Sequence, residues 1–313
     1  MDAAEYEAYA GRLTANLQAR PEVLGLVAVG SFAVGADRFS DHDFFVIAPP
    51  EATEPLRRDL TWLPDHERLV VAIRETRHGI KAVYDDGHLV EYAVFTPDEI
   101  ALARLNRTRV LFDRADVAKR IRATTEATKV AIRDEAHTDG WLVGQFLSTL
   151  LIGVSRHRRG ERLAAIEFVH GLALRFLLLL IARHVPPEVP DVLDDLNPYR
   201  RVERAYPSLG ARLDAVMAQG DLEAVARGLF DLAEARFAGL GGEDVRPEAW
   251  TTLRRLLDDT PDPRLGWRAQ SIAGWSGGPP PGPVPEPRMV PDRITKTAAT
   301  PPTSSAPKRP RDA

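Results

Sequence analysis

Residues 26–48 read LVAVGSFAVGADRFSDHDFFVIA, and the punctuation of this stretch decides the fold. Residues 26–29 are small and β-branched, the pattern of a short buried strand, and Gly30 and Ser31 end it in a turn. Residues 44–48 form a second apolar run, introduced by Asp41, His42 and Asp43. Side chains alternate along an extended chain, so Asp41 and Asp43 share one face and His42 takes the other. Two carboxylates at the head of a buried strand repel each other, and burial raises the cost of both charges. A hard divalent cation relieves that cost. Oxygen ligands suit Mg²⁺, which binds through one or two carboxylates together with substrate phosphates. Gly30 lets the backbone approach an anion, the Ser31 hydroxyl and nearby amides donate to it, and a short helix expected at 32–36 adds its positive end.

Gly30-Ser31, nine intervening residues and then Asp41-x-Asp43 on an apolar strand resemble the signature of the nucleotidyltransferase superfamily. The likeness is to its small-molecule branch, the aminoglycoside and lincosamide nucleotidyltransferases, which join a polymerase beta-like fold to a C-terminal helical domain. The resemblance implies a third carboxylate on a later strand, and Glu91, in residues 88–95 (HLVEYAVF), is the match. One face of that strand holds Leu89, Glu91, Ala93 and Phe95, the other His88, Val90, Tyr92 and Val94. Both faces are largely apolar, so the strand reads as an interior one. Asp85 and Asp86 are rival third acids, although Asp86-Gly87 reads better as a two-residue hairpin turn.

What the resemblance implies is Mg²⁺-dependent transfer of a nucleoside monophosphate, AMP from ATP or the equivalent from another nucleotide, onto a hydroxyl of a small molecule such as an aminoglycoside-like antibiotic. Asp41, Asp43 and Glu91 take the catalytic and metal-binding roles, with Gly30 and Ser31 on the nucleotide. Arg38, Arg74 and Lys81 are basic candidates for the phosphates. Glu135, Asp139, Glu161 and Glu167 are candidates for the base, and Asp191, Asp194 and Asp195 for an acidic cleft facing a cationic acceptor. The Arg159-Gly160-Glu161 break reads either as a loop facing the cleft or as a helix cap. Two other classes stay open: a protein-modifying transferase of the antitoxin or regulatory type, and a nucleotide-binding module without catalysis.

Composition narrows the field further. The 313 residues suffice for two domains with cores of their own. A net charge of −4 gives no general attraction to polyanions, so no nucleic-acid partner is expected. The absence of cysteine excludes disulfides, thiolate nucleophiles and Cys-ligated zinc. The N-terminus (MDAAEYEAYAGRL) lacks the basic start and apolar core of a signal peptide. The longest apolar run, 176–182, is shorter than the roughly 20 residues that span a bilayer. A cytoplasmic protein without a membrane partner is the expectation.

Along the chain, Tyr6, Tyr9, Leu13 and Leu17 form the apolar stripe of a helix over 3–18. Strands are expected at 26–29, 44–48, 68–74, 80–84 and 88–95, with a short apolar piece at 110–112. Thr96-Pro97-Asp98-Glu99 is a helix start, with Thr96 as cap and Glu99 closing a capping box. From residue 116 the periodicity is helical: 117–134, 141–156, 161–184, 205–239 broken at Pro207 and Gly220, and 247–258. The expected class is α+β: a small mixed-sheet nucleotidyltransferase domain over 1–114, a helical bundle over 115–260, and a Pro-rich tail over 261–313. That tail holds eleven prolines in its last 37 residues, a composition that builds no core and reads as disordered.

Overall fold

The computed structural model describes residues 3–34, 41–135, 137–190 and 192–259. The expected Pro-rich tail, Arg38 and Asp191 lie outside them, and so does the second half of the expected 32–36 helix, of which one 3₁₀ turn, Phe32–Val34, is described.

The two apolar runs flanking the Gly30 turn become β1 (Gly25–Val29) and β2 (His42–Ile47), paired antiparallel. With β3 (Leu69–Arg74), β4 (Gly79–Tyr84), β5 (Leu89–Phe95) and β6 (Thr108–Asp113) they form one sheet in the order β3-β4-β5-β2-β1-β6. Only the central β2–β5 pair is parallel, so the sheet is mixed and the fold α+β. Both central strands are covered on two sides, which is why β5 lacks a polar face.

Leu26, Ala28, Phe44, Val46, Val90, Tyr92 and Val94 face one core, closed by α1 (Ala3–Gln18) through Tyr6, Tyr9, Leu13 and Leu17, by Leu56 of α2 (Pro50–Arg58), and by Trp62. Val27, Ile47 and Phe95 face a second core with Ile100, Leu105, and Val117 and Ile121 of α3 (Val117–Asp134). Thus α3, which follows the expected domain boundary in sequence, packs on the sheet. His42 takes the α1 side: it is fully buried between the rings of Tyr6 and Tyr9.

Two local expectations need correction. The β4–β5 hairpin turns on three residues, Asp85-Asp86-Gly87, because Tyr84 N bonds to His88 O and the left-handed residue is Gly87 at φ +83°. Capping at Thr96 forms reciprocally, Glu99 N to Thr96 Oγ1 at 3.2 Å and Thr96 N to Glu99 Oε2 at 3.0 Å. Yet only a single 3₁₀ turn, Glu99–Leu102, follows it. Of that segment Ile100 and Leu105 are buried while Leu102 is exposed, so no continuous stripe exists to extend the helix before the chain returns as β6.

The remaining helices share a separate core. α4 (Asp139–Arg158) starts at Thr138, whose hydroxyl caps Trp141 N at 3.1 Å. α5 (Arg162–Ile166), a π-helical stretch (Glu167–Ala173) and α6 (Leu174–His184) run on as one helix. α7 (Val202–Ala205), α8 (Pro207–Met217), α9 (Leu222–Phe237) and α10 (Glu248–Asp258) complete the set, with Phe146, Leu150, Leu177, Leu229, Phe230, Phe237 and Trp250 buried together. The 23 residues of Arg162–His184 are long and apolar enough to cross a membrane by length and composition, which corrects the impression given by the 176–182 run alone. Their Val169, Ala173, Leu177 and Leu180 are instead spent on the helical core.

Candidate active site

Asp43 and Glu91 are register partners on parallel strands, and Lys81 is the partner of Glu91 on the next strand out. Cross-strand partners share a face, so Asp43, Glu91 and Lys81 stand in a row on the α3 side of the sheet. Lys81 Nζ lies 3.3 Å from Glu91 Oε1 and 2.7 Å from Glu75 Oε1. These bonds hold its pKa above the ordinary lysine range, Glu75 first.

Asp43 is the electrostatic centre. Burial pushes its pKa up to about 7, the charges of Asp41 and Glu91 push the same way, and Arg200 and Lys81 oppose them. The three predicted acids are therefore within reach of one another's fields. They do not form a closed cage: among the described residues no three histidine or carboxylate side chains are gathered to hold a metal ion. Glu91 leans on Lys81, and Asp41 Oδ1 faces the Ser31 hydroxyl at 3.5 Å.

The Gly30 turn fits closely against this face. Gly30 has φ +66°, a conformation that favours glycine, and a Cβ there would meet Asp43 Oδ2 at 2.6 Å, so a side chain would push that carboxylate aside. Its N–H donates to Arg107 O at 3.1 Å. Arg107 in turn donates from Nη2 to the carbonyls of Val192 and Leu193 at 3.2 and 3.0 Å, linking the turn to the loop between α6 and α7. Next to it Asn106 Nδ2 donates to Asp194 Oδ1 at 2.9 Å.

Asp194 is a hub and does not line an acidic cleft. It is buried, its Oδ1 also accepts from Leu196 N, and its Oδ2 lies 3.5 Å from Arg200 and 3.6 Å from Arg201. Arg201 sits at φ +66°, and its Nη1 is buried without a hydrogen bond. Burial and then the charges of Arg107 and Arg200 lower its pKa. The loop thus carries Arg200, which acts on Asp43, and holds Arg200 and Arg201 around the carboxylate of Asp194.

Three of the four expected bases are held in ion pairs. Glu135 pairs with Arg104, Asp139 with Arg183 and His184, and Glu161 with Arg156 and Arg159, while Glu167 is exposed. Gly160, at φ +81° with its N–H on His157 O, caps α4. Arg74 is taken by Glu54 at 2.7 Å, and Asp85 and Asp86 by Arg68. Sequence reading missed Arg107, Arg200 and Arg201; the one local signal was the Arg200-Arg201 pair six residues beyond Asp194.

The donor chemistry fits Mg²⁺. It consists of carboxylate oxygens only, on a face where a cation would relieve the pressure that Asp41 and Glu91 exert on Asp43.

No protein-family model matches the chain, and no curated protein sequence matches it. Among solved structures it is similar to an aminoglycoside 6-adenyltransferase from Bacillus subtilis, at 12% identity and a TM-score of 0.32, over 79% of this chain and 95% of that one. It is also similar to a STING-associated CdnE c-di-GMP synthase from Capnocytophaga granulosa, at 12% identity and a TM-score of 0.26, over 82% of this chain and 79% of that one. Likeness at this level does not bear on chemistry, which has to come from the chain's own side chains.

Proposed function

We propose that this chain is a cytoplasmic Mg²⁺-dependent nucleotidyltransferase that moves a nucleoside monophosphate, AMP from ATP in the first instance, onto a hydroxyl of a small molecule. The observation that carries the reading is the placement of Asp43 and Glu91 at one register level of two parallel strands, beside the left-handed Gly30 turn. Asp41, Asp43 and Glu91 would hold the metal, which when bound neutralises charge on the phosphoryl oxygens and activates the acceptor.

The chain's own groups then position the reactants. The Gly30 backbone and the Ser31 hydroxyl border the path of the phosphates, and Arg200 and Lys81, which already offset the charge of Asp43, oppose the negative charge of the triphosphate. The acceptor oxygen bonds to the α-phosphorus as the bond to the bridging oxygen breaks. Pyrophosphate leaves, and the hydroxyl proton passes to a carboxylate or to solvent. Most of the rate enhancement comes from alignment and charge stabilisation. An aminoglycoside-like antibiotic is one acceptor to test, although with Asp194 enclosed by arginines the surroundings favour the anionic nucleotide more than a cationic drug.

The test is incubation of the full chain with Mg²⁺, labelled ATP or other nucleotides, and a panel of aminoglycosides, lincosamides and proteins, with Asp43→Asn as control. Label on a small molecule together with acceptor-dependent pyrophosphate release is the expected result. Label on a protein moves the acceptor class to the antitoxin type. Nucleotide binding without turnover across the panel sinks the catalytic reading.

A further inference from the structure

Arg201 is held in two unfavourable states at once. Its backbone is left-handed, at φ +66° and ψ 19°, a conformation that L side chains rarely adopt. Its side chain is 15% exposed, and the buried Nη1 makes no hydrogen bond. A buried donor left unpaired opposes folding, and a native structure that keeps one calls for an explanation. Strained backbone of this kind gathers where a ligand is clamped.

The charge around Arg201 is equally unbalanced. Arg200 and Arg201 approach the same oxygen, Asp194 Oδ2, at 3.5 and 3.6 Å, so two guanidinium groups share one carboxylate oxygen. Oδ1 of that carboxylate is occupied by Asn106 Nδ2 and Leu196 N. Arg107, Arg200 and Arg204 all press against the positive charge of Arg201, and Asp194 alone favours it. An added anion would relieve this repulsion and give Nη1 a partner. Arg200 is 41% exposed, so the pair is closed at Arg201 and open to solvent at Arg200. The open end acts on Asp43, and the loop that carries both residues is tied to the Gly30 turn through Arg107.

We propose that Arg200 and Arg201 form an anion subsite that takes a phosphate group beside the carboxylate face, with Asp194 holding the two guanidinium groups in place. Guanidinium forks fit phosphate and carboxylate alike, and the choice of phosphate rests on the nucleotidyl-transfer reading. Two sources share that chemistry: the terminal phosphates of the nucleotide, which leave as pyrophosphate, and a phosphate borne by the acceptor.

The test is melting and titration calorimetry of the full chain in EDTA, with inorganic pyrophosphate and inorganic phosphate as probes. Pyrophosphate should raise the melting temperature of the unmodified chain. Arg201→Met removes an unpaired buried cation while Asp194 keeps Arg200, Asn106 and Leu196 N, so without anion it should melt no earlier than the unmodified chain. Its affinity for pyrophosphate should fall about tenfold or more, the usual effect of losing a charge-assisted hydrogen bond. Arg200→Gln, at a partly exposed position, should lose affinity likewise with its anion-free melting unchanged. An equal loss for ATP and pyrophosphate with none for AMP assigns the subsite to the terminal phosphates. A loss for inorganic phosphate at unchanged ATP affinity assigns it to the acceptor. Asp43→Asn should bind pyrophosphate at least as well as the unmodified chain, so anion binding in a chain that transfers nothing sinks the catalytic reading and keeps the subsite. An unmodified chain that responds to neither anion, or variants at Arg200 and Arg201 that bind pyrophosphate as tightly as it does, overturns the proposal.

Discussion

A Cβ added to Gly30 would stand 2.6 Å from Oδ2 of Asp43, in a residue whose φ of +66° already disfavours any L side chain. Gly30→Ala therefore combines backbone strain with displacement of the central acid. Strain in the left-handed region costs about 1 to 2 kcal/mol, which lowers the melting temperature by a few degrees in a chain of this size. Nucleotidyl transfer should fall much further, since a misplacement of about 1 Å at a reacting centre can cost on the order of 10²-fold. Thermal melts and pyrophosphate release on the same preparation check this. A variant that melts early with undiminished turnover would separate the turn from the chemistry.

The pressure on Asp43 makes a second expectation. Its burial and the charges of Asp41 and Glu91 oppose ionisation, so Asp43→Asn should leave stability in EDTA unchanged or raised. If the site holds Mg²⁺ as proposed, added metal should stabilise the unmodified chain by mass action, about 2.7 kcal/mol at a hundredfold excess over its dissociation constant. Asp43→Asn should lose that increment. Urea titrations with and without Mg²⁺ are the measurement, and equal metal effects on both proteins would remove Asp43 from the metal site.

Much of this arrangement was legible because it depends on local alternation. The three-four spacing of Tyr6, Tyr9, Leu13 and Leu17 placed α1 at its observed limits, and the Asp41-His42-Asp43 alternation put His42 and Asp43 on opposite faces, the face of His42 being the one that α1 covers. Glu91 was legible as a strand residue, and its register against Asp43 makes it a neighbour. What stayed hidden depends on distant sequence. Asn106 and Asp194 are 88 residues apart, and no local pattern announces that they meet. The one-turn segment after Thr96 was misjudged because a good cap starts a helix but cannot lengthen it without an apolar stripe to bury.

Asp194 carries a third prediction. Its side chain is 5% exposed and offsets Arg200 and Arg201, so its removal leaves those guanidinium groups facing each other and Arg107. Asp194→Ala should destabilise by about 3 kcal/mol, the usual consequence of leaving a buried pair half-made. Asp194→Asn keeps a carbonyl for Asn106 and Leu196 and should recover part of that loss. Because Arg200 acts on Asp43, both variants should raise KM for the nucleotide more than they lower kcat. Melting curves and initial rates decide it; an unchanged melting temperature in Asp194→Ala would show that the hub contributes no stability.

The buried histidine pair predicts how stability varies with pH. His42 Nε2 faces the Tyr6 carbonyl at 3.2 Å and so carries the proton there, which leaves Nδ1 to accept from His88 Nε2 at 2.6 Å. Both rings are then neutral. Burial lowers the pKa of His88 to about 4, against an ordinary value of 6.5. Above the ordinary value neither the folded nor the unfolded state is protonated, and His88 adds no pH dependence. Between 6.5 and 4 the unfolded chain takes up a proton that the folded one refuses, so stability falls with pH by up to about 1.4 kcal/mol per unit, about 3 kcal/mol in all. Below the folded value the fall from this residue stops. Burial likewise lowers the pKa of His42 to about 3, so it refuses a proton across the same window and adds a slope of its own. Urea unfolding should show the combined slope, and His88→Gln should roughly halve it while starting from a lower stability. An identical slope in the variant would assign the acid sensitivity to other groups.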